Sequence, residues 1–156
     1  MHFASDSSAD LSYRLSDSSQ GAISIVRERF ATSGFDIADY SDLWWNPDES
    51  GWGIAVSQQY DKIFASWYVY DDGGNSLWVV LPDSTFSYDR DGTARFRGEL
   101  YTTTGPSSDR PFDPALVKVT HVGFATLLFS SRTEGVIVYN AFGKPDVTRR
   151  ITRQPF

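Results

Sequence analysis

From residue 43 onward the chain alternates apolar and polar side chains at nearly every second position, interrupted only by short turn signals. This pattern constrains the fold more than any single motif. A period of two sends successive side chains to opposite faces of an extended strand, and such short connections leave no room for a crossover helix. Strands adjacent in sequence must then pair antiparallel. In residues 52 to 59, Trp52, Ile54 and Val56 share one face and Gly53, Ala55 and Ser57 the other. In residues 62 to 70, Ile63, Ala65, Trp67 and Val69 oppose Phe64, Ser66, Tyr68 and Tyr70. Further runs cover residues 77 to 81, 93 to 103, 116 to 120, 124 to 130, 136 to 140 and 147 to 152, with a kink at Val122-Gly123. Between the runs stand Tyr60-Asp61, Asp71-Asp72-Gly73-Gly74-Asn75, Asp89-Arg90-Asp91-Gly92, Arg132-Thr133-Glu134-Gly135 and Gly143-Lys144-Pro145, residues that supply turn geometry and positive φ. Residues 105 to 114, with three prolines, form the longest break. The pattern predicts an all-β domain over residues 42 to 156, an antiparallel up-and-down meander of about eight strands. It is expected to close into a barrel whose interior is either packed or holds one small ligand, with a sandwich as the alternative.

The first part of the chain reads differently. Residues 1 to 21 form a Ser/Asp-rich leader whose composition is that of a flexible segment, but the alternation Leu11, Tyr13, Leu15 suits a strand laid on another surface. In residues 22 to 30, Ile23, Val26 and Phe30 would share a helical face, whereas Ile23 and Ile25 would share a strand face. Arg27-Glu28-Arg29 are good helix formers and Ser33-Gly34 a natural stop, which tips the expectation toward a short helix. Residues 22 to 41 thus connect the leader to the barrel, and residues 11 to 26 are a candidate for self-association by strand addition.

Composition excludes several chemistries. There is no cysteine, so thiolate metal sites, thiol nucleophiles and disulfides are out. A net charge of −6 argues against nucleic acid as partner, and the only basic cluster, Arg149, Arg150 and Arg153, is expected on the solvent face of a last strand. No apolar run is long enough to span a membrane as a helix. His2-Phe3-Ala4-Ser5-Asp6 has neither the basic start nor the apolar stretch of a signal peptide. If the chain is exported, its signal has been removed. There is no Gly-x-Ser-x-Gly elbow, and His2 and His121 are poorly placed as bases. Asp48, Glu49, Asp72, Glu99 and Glu134 offer carboxylates for glycoside hydrolysis, but turn and surface positions account for each. The acidic turns lack the full calcium-loop pattern. No catalytic residue, metal or cofactor is expected.

Aromatic side chains are the positive signal. Three of five tryptophans fall within residues 43 to 53, and the candidate ligand-binding residues are Trp44, Trp45, Asn46, Trp52, Trp67, Tyr68, Tyr70 and Trp78. Large rings serve cores, or they stack on flat or sugar ligands with polar groups at the edge. Since Trp67 lies on one face of its strand and Tyr68 and Tyr70 on the other, some of these rings must face outward or into a lumen.

The string Trp44-Trp45-Asn46-Pro47-Asp48-Glu49-Ser50-Gly51-Trp52-Gly53, followed by Phe64-Ala65-Ser66-Trp67-Tyr68, Leu77-Trp78, Gly98-Glu99-Leu100-Tyr101, Pro111-Phe112-Asp113-Pro114 and the closing Ile151-Thr152-Arg153-Gln154-Pro155-Phe156, resembles a domain found in exported proteins of proteobacteria. The resemblance covers about residues 42 to 156 and implies a secreted, periplasmic or cell-surface location; it brings no activity with it. Trp44-Trp45-Asn46 on a first strand is also similar to avidin-type barrels, where such a strand helps to line the ligand pocket. The residues that complete a biotin site have no clear match here. The function expected is a non-enzymatic secreted β-barrel that binds carbohydrate or another cell-surface or small-molecule ligand through exposed aromatics. The alternative is a structural or assembly subunit of a homo-oligomer or filament, its leader adding a strand to a neighbouring copy.

Overall fold

The computed structural model describes residues 1–16, 18–107 and 110–155; Asp17 of the leader, Ser108 and Asp109 of the proline-rich break, and Phe156 lie outside the described residues. The described chain forms β1 (His2–Ser5), β2 (Ser8–Arg14), β3 (Gln20–Val26), β4 (Asp42–Trp45), β5 (Gly53–Gln59), β6 (Lys62–Tyr70), β7 (Ser76–Leu81), β8 (Thr85–Tyr88), β9 (Ala94–Thr104), β10 (Lys118–Phe129), β11 (Glu134–Ala141) and β12 (Val147–Arg153). A single 3-10 turn, Pro114–Leu116, precedes β10 and is capped by Asp113, whose carboxylate accepts from the Ala115 N–H at 2.9 Å.

All pairings are antiparallel, and the strands form two separate sheets. In the larger, β4, β5, β6, β7, β9, β10, β11 and β12 pair in that cyclic order, and the β12–β4 pairing closes an eight-stranded barrel. The closing register is Arg153 opposite Trp44 and Thr152 opposite Trp45. The ninth strand, β8, was not anticipated from the sequence. Pro82, Asp83 and Ser84 break the run after β7, and β8 then lies along the Ala94 end of β9 while β7 meets β9 at Val80 opposite Tyr101.

Alternation within each strand decides what the barrel holds. Ile54 and Val56 of β5, Ile63, Ala65 and Trp67 of β6, Phe96 and Leu100 of β9, and Leu127 and Phe129 of β10 all turn inward and are buried. They fill the interior to side-chain contact, as an eight-stranded barrel permits. Tyr40 plugs one end: its ring stacks on Phe129 at 4.5 Å with an interplanar angle of 9° and meets Phe96 edge-on at 5.9 Å. Burial raises its phenol pKa above the ordinary tyrosine value. The Trp44 indole N–H donates to the Tyr40 carbonyl at 3.0 Å, tying the plug to the first barrel strand.

Arg153 corrects the expectation for the basic cluster. Arg149 and Arg150 are exposed, but Arg153 shares the inward face of Ile151. There its guanidinium lies 5.4 Å from the Trp44 ring centroid, pairs with Asp42 at 3.2 Å and donates to the Asp39 carbonyl at 3.0 Å.

Among the described residues the leader forms strands, as the alternation Leu11, Tyr13, Leu15 suggests for its middle, and residues 22 to 30 hold no helix. β1, β2 and β3 make a three-stranded meander, with β3 paired to β2 from Arg14 opposite Gln20 to Ser8 opposite Val26. Leu11 faces Ile23 and Ala9 faces Ile25 across that ladder. Cross-strand pairing of β-branched residues outweighs the weak helical preference of Arg27-Glu28-Arg29, which fall beyond the strand in an irregular connection. That connection is held to the barrel by Gln59, which donates to the Glu28 carbonyl at 2.8 Å and accepts from the Ala31 N–H at 3.1 Å.

Candidate functional site

The eight residues singled out by the sequence divide into three groups. Trp44 and Trp67 belong to the packed interior, 0% and 7% exposed, so their expected role in binding a ligand is corrected to one in the core. The reason is parity: Trp67 shares the inward face of its strand with buried Ile63 and Ala65, and Trp44 stands opposite buried Ile54 of the next strand. Trp67 packs against the Tyr139 ring at 4.5 Å.

Asn46 and Trp52 secure the connection between β4 and β5. The Asn46 carboxamide oxygen accepts from the Asp48 N–H at 3.1 Å and its carbonyl from the Glu49 N–H at 3.0 Å, the hydrogen bonding of an Asx turn. The Trp52 indole N–H donates to Glu49 at 3.1 Å, and the other carboxylate oxygen of Glu49 accepts from Arg149 of β12 at 3.0 Å. Trp52 also packs against the core from the rim. These contacts account for the Trp-Trp-Asn-Pro-Asp-Glu-Ser-Gly-Trp-Gly string as a pinned loop.

Trp45, Tyr68, Tyr70 and Trp78 remain, all on the outer wall. Three register pairs align them: Trp45 stands opposite Gly53, Gly53 opposite Tyr68, and Tyr68 opposite Trp78. This gives one lateral row across β4, β5, β6 and β7. At a strand spacing of about 4.8 Å the row spans about 14 Å, with Gly53 leaving a trough between Trp45 and Tyr68. Tyr68 and Trp78 are 54% and 55% exposed, and Tyr70, two residues along β6 on the same face, 57%. Among the described residues none of these three side chains takes part in a hydrogen bond or ring contact. Trp45 is half-buried, and among the described residues its enclosed indole N–H has no partner. The Tyr70 ring leans toward the backbone of Gly51, its hydroxyl 3.6 Å from where a Cβ would stand; with φ of +119° that position suits glycine.

The same wall continues onto β9 and β10 with a cluster that sequence reasoning did not assemble. Tyr101 and His121 meet edge-on at 5.4 Å, His121 and Phe124 at 5.1 Å, and the Arg97 guanidinium lies 5.8 Å from the Phe124 ring centroid. Tyr101 donates its hydroxyl hydrogen to Glu99, which raises the phenol pKa. The one sequence signal for this cluster is the Val122-Gly123 kink.

Of the remaining candidate acids, one is committed to an ion pair. Asp72 pairs with Lys144. Asp71 accepts from the Asn75 side-chain amide first, then from the backbone N–H groups of Asn75 and Gly73, and these bonds hold its carboxyl below the ordinary aspartate range. Among the described residues no group of three or more acidic or histidine side chains is placed to hold a metal ion. In comparisons with known proteins no family model matches the chain, and no curated protein or solved structure matches it.

Proposed function

We propose that this chain is a non-enzymatic, exported binding module that recognises carbohydrate on the outer wall of its barrel. The observation that carries this reading is the exposed pair Tyr68 and Trp78, directly opposite each other on neighbouring strands and aligned through Gly53 with Trp45. Exposed rings on rigid strands cost little entropy to hold in place and offer flat apolar faces to the C–H side of a pyranose. A trough without a side chain lets a ring settle between two aromatic walls. The row is longer than one sugar ring, so an oligosaccharide fits it better than a free monosaccharide.

A glycan array probed with the labelled parent, the Trp78→Ala variant and the Tyr68→Ala variant tests this. Binding by the parent that falls at least about tenfold in affinity in Trp78→Ala, equivalent to about 1.4 kcal/mol, supports the site. A parent that binds no glycan overturns it.

A second reading, assembly between copies through the leader, rests on β3. This edge strand has the sequence Gln-Gly-Ala-Ile-Ser-Ile-Val, without charge or proline, and so lacks the usual protection against strand addition. Ile23, Ile25 and Val26 on this strand are exposed. Light-scattering mass of the whole chain against a chain lacking residues 1 to 26 decides: a monomer in both cases removes the assembly reading.

A further inference from the structure

Next to the aromatic row lies a cavity of about 450 Å³ on the outer wall, where the chain breaks between β7 and β8. Its floor is Gly98, its walls are the segment from Pro82 to Thr85 on one side and Phe124 on the other, and Arg97, Glu99 and Tyr101 project along it. Three features make this a rigid recess. A side chain at Gly98 would collide with the Asp83 carbonyl and the Leu81 side chain, so the backbones approach closely there only because the residue is glycine. The wall at residues 82 to 85 is anchored from beneath: the buried Ser84 hydroxyl accepts from the Ile63 N–H at 3.0 Å, and Lys62 donates to the Ser84 carbonyl at 2.7 Å while pairing with Asp83 at 2.9 Å. The opposite wall depends on a β-bulge, since the β9–β10 register slips between His121 and Gly123. That slip re-aims His121 to lie between the Tyr101 and Phe124 rings, a use of bulges that recurs beside functional sites.

The polar groups are as informative as the shape. Asp83 is engaged by Lys62 and Glu99 by Tyr101, so each carboxylate is fixed in orientation with lone pairs to spare. Among the described residues Arg97 pairs with no carboxylate, and its guanidinium donors are open beside Phe124. Arg97 and Glu99 lie two residues apart on the same face of β9, about 6.6 Å along the strand. An acceptor, a multiple donor and an aromatic wall lining one recess suit a ring carrying neighbouring hydroxyls. A carboxylated ligand is disfavoured by Glu99 and Asp83.

We infer that this recess is a hydroxyl-reading subsite for a single neutral pyranose, with Glu99 accepting from and Arg97 donating to neighbouring sugar hydroxyls while Phe124 covers the ring. The inference rests on the carbohydrate reading above and deepens it. Val80 of β7 stands opposite Tyr101 of β9, so Trp78, two residues from Val80 on the same face, is the diagonal neighbour of Tyr101. The aromatic row thus leads into the recess: stacking on the row supplies contact, and the recess selects the hydroxyl arrangement.

The test is a ¹⁵N NMR titration of the full chain with methyl glucopyranoside, methyl galactopyranoside and methyl mannopyranoside, repeated on Glu99→Gln and Arg97→Met. The spectra themselves report that each variant is folded. The expected result is that the Gly98, Glu99 and Phe124 amides shift with one of the three sugars in preference to the others, and that affinity at these amides falls about tenfold in each variant. Shifts confined to the Trp78 indole and its neighbours overturn the subsite and leave the aromatic row standing. Shifts confined to the recess support the subsite and count against the row. No shift anywhere with any of the three sugars overturns the subsite.

Discussion

Trp44 and Trp78 stand on barrel strands with their side chains on opposite faces of the wall, and the consequences of truncating them differ accordingly. Trp44 is fully enclosed, donates its indole N–H to the Tyr40 carbonyl and lies 4.6 Å from the Phe129 ring. Trp44→Ala is expected to cost about 3–5 kcal/mol, read as a large fall in the urea midpoint. Trp78 is 55% exposed, and Trp78→Ala is expected to leave stability within about 1 kcal/mol while abolishing glycan binding. Gly123 is a second residue whose role is set by its surroundings. Its φ is +147°, and a Cβ there would run into the Asn140 carbonyl. Gly123→Ala is expected to destabilise the chain by about 1–3 kcal/mol, measurable by thermal unfolding, and to disturb the His121 ring environment. At this scale the tryptophan count and the glycine kink were legible in the sequence. Which indole faces inward was not, because Trp44 and Trp45 are adjacent and parity alone does not say which face is core.

Among elements, the break between β7 and β8 carries a pH-dependent contribution to stability. The hydrogen bond from Lys62 is the main influence holding the Asp83 carboxyl below the ordinary aspartate range, opposed by partial burial and helped by the Ser84 N–H. The folded chain therefore binds this proton less readily than the unfolded chain. The stabilisation is fully present above about pH 4 and is lost as pH falls through the lowered folded value. Asp89, paired with Arg95, behaves in the same sense. Urea midpoints are expected to be level between pH 7 and pH 5 and to fall toward pH 3, with a smaller fall in Lys62→Met. Both carboxylates are accessible enough that solvent screening keeps the effect modest. The element boundaries from β5 to β7 follow the alternation of the sequence within a residue or so. β8 escaped notice because Pro82 reads as an end, and nothing local indicates that the strand resumes along β9. The helix expected over residues 22 to 30 failed because β3 finds its partner in β2, a pairing that local propensity does not encode.

On the scale of the whole molecule, the described strands form two separate sheets, joined in sequence by the residues 27 to 41 connection. Gln58 and Gln59 hold that connection through the Tyr40 N–H and the Ala38, Glu28 and Ala31 backbone. Removal of residues 1 to 26 is therefore expected to leave the barrel folded, with a thermal midpoint close to that of the parent by circular dichroism. The sequence by itself determined the antiparallel all-β class, the order of the barrel strands and the presence of more aromatic rings than one face of a sheet can bury. These are properties of period and spacing, which are local. The tertiary structure alone decided that the interior is packed and plugged by Tyr40, that Gly53 separates Trp45 from Tyr68 in one row, and that Arg97, Glu99, Tyr101, His121 and Phe124 gather around a recess. Each of these depends on register between strands, and register is set by closure of the barrel and the bulge at Gly123, which bring together residues far apart in sequence.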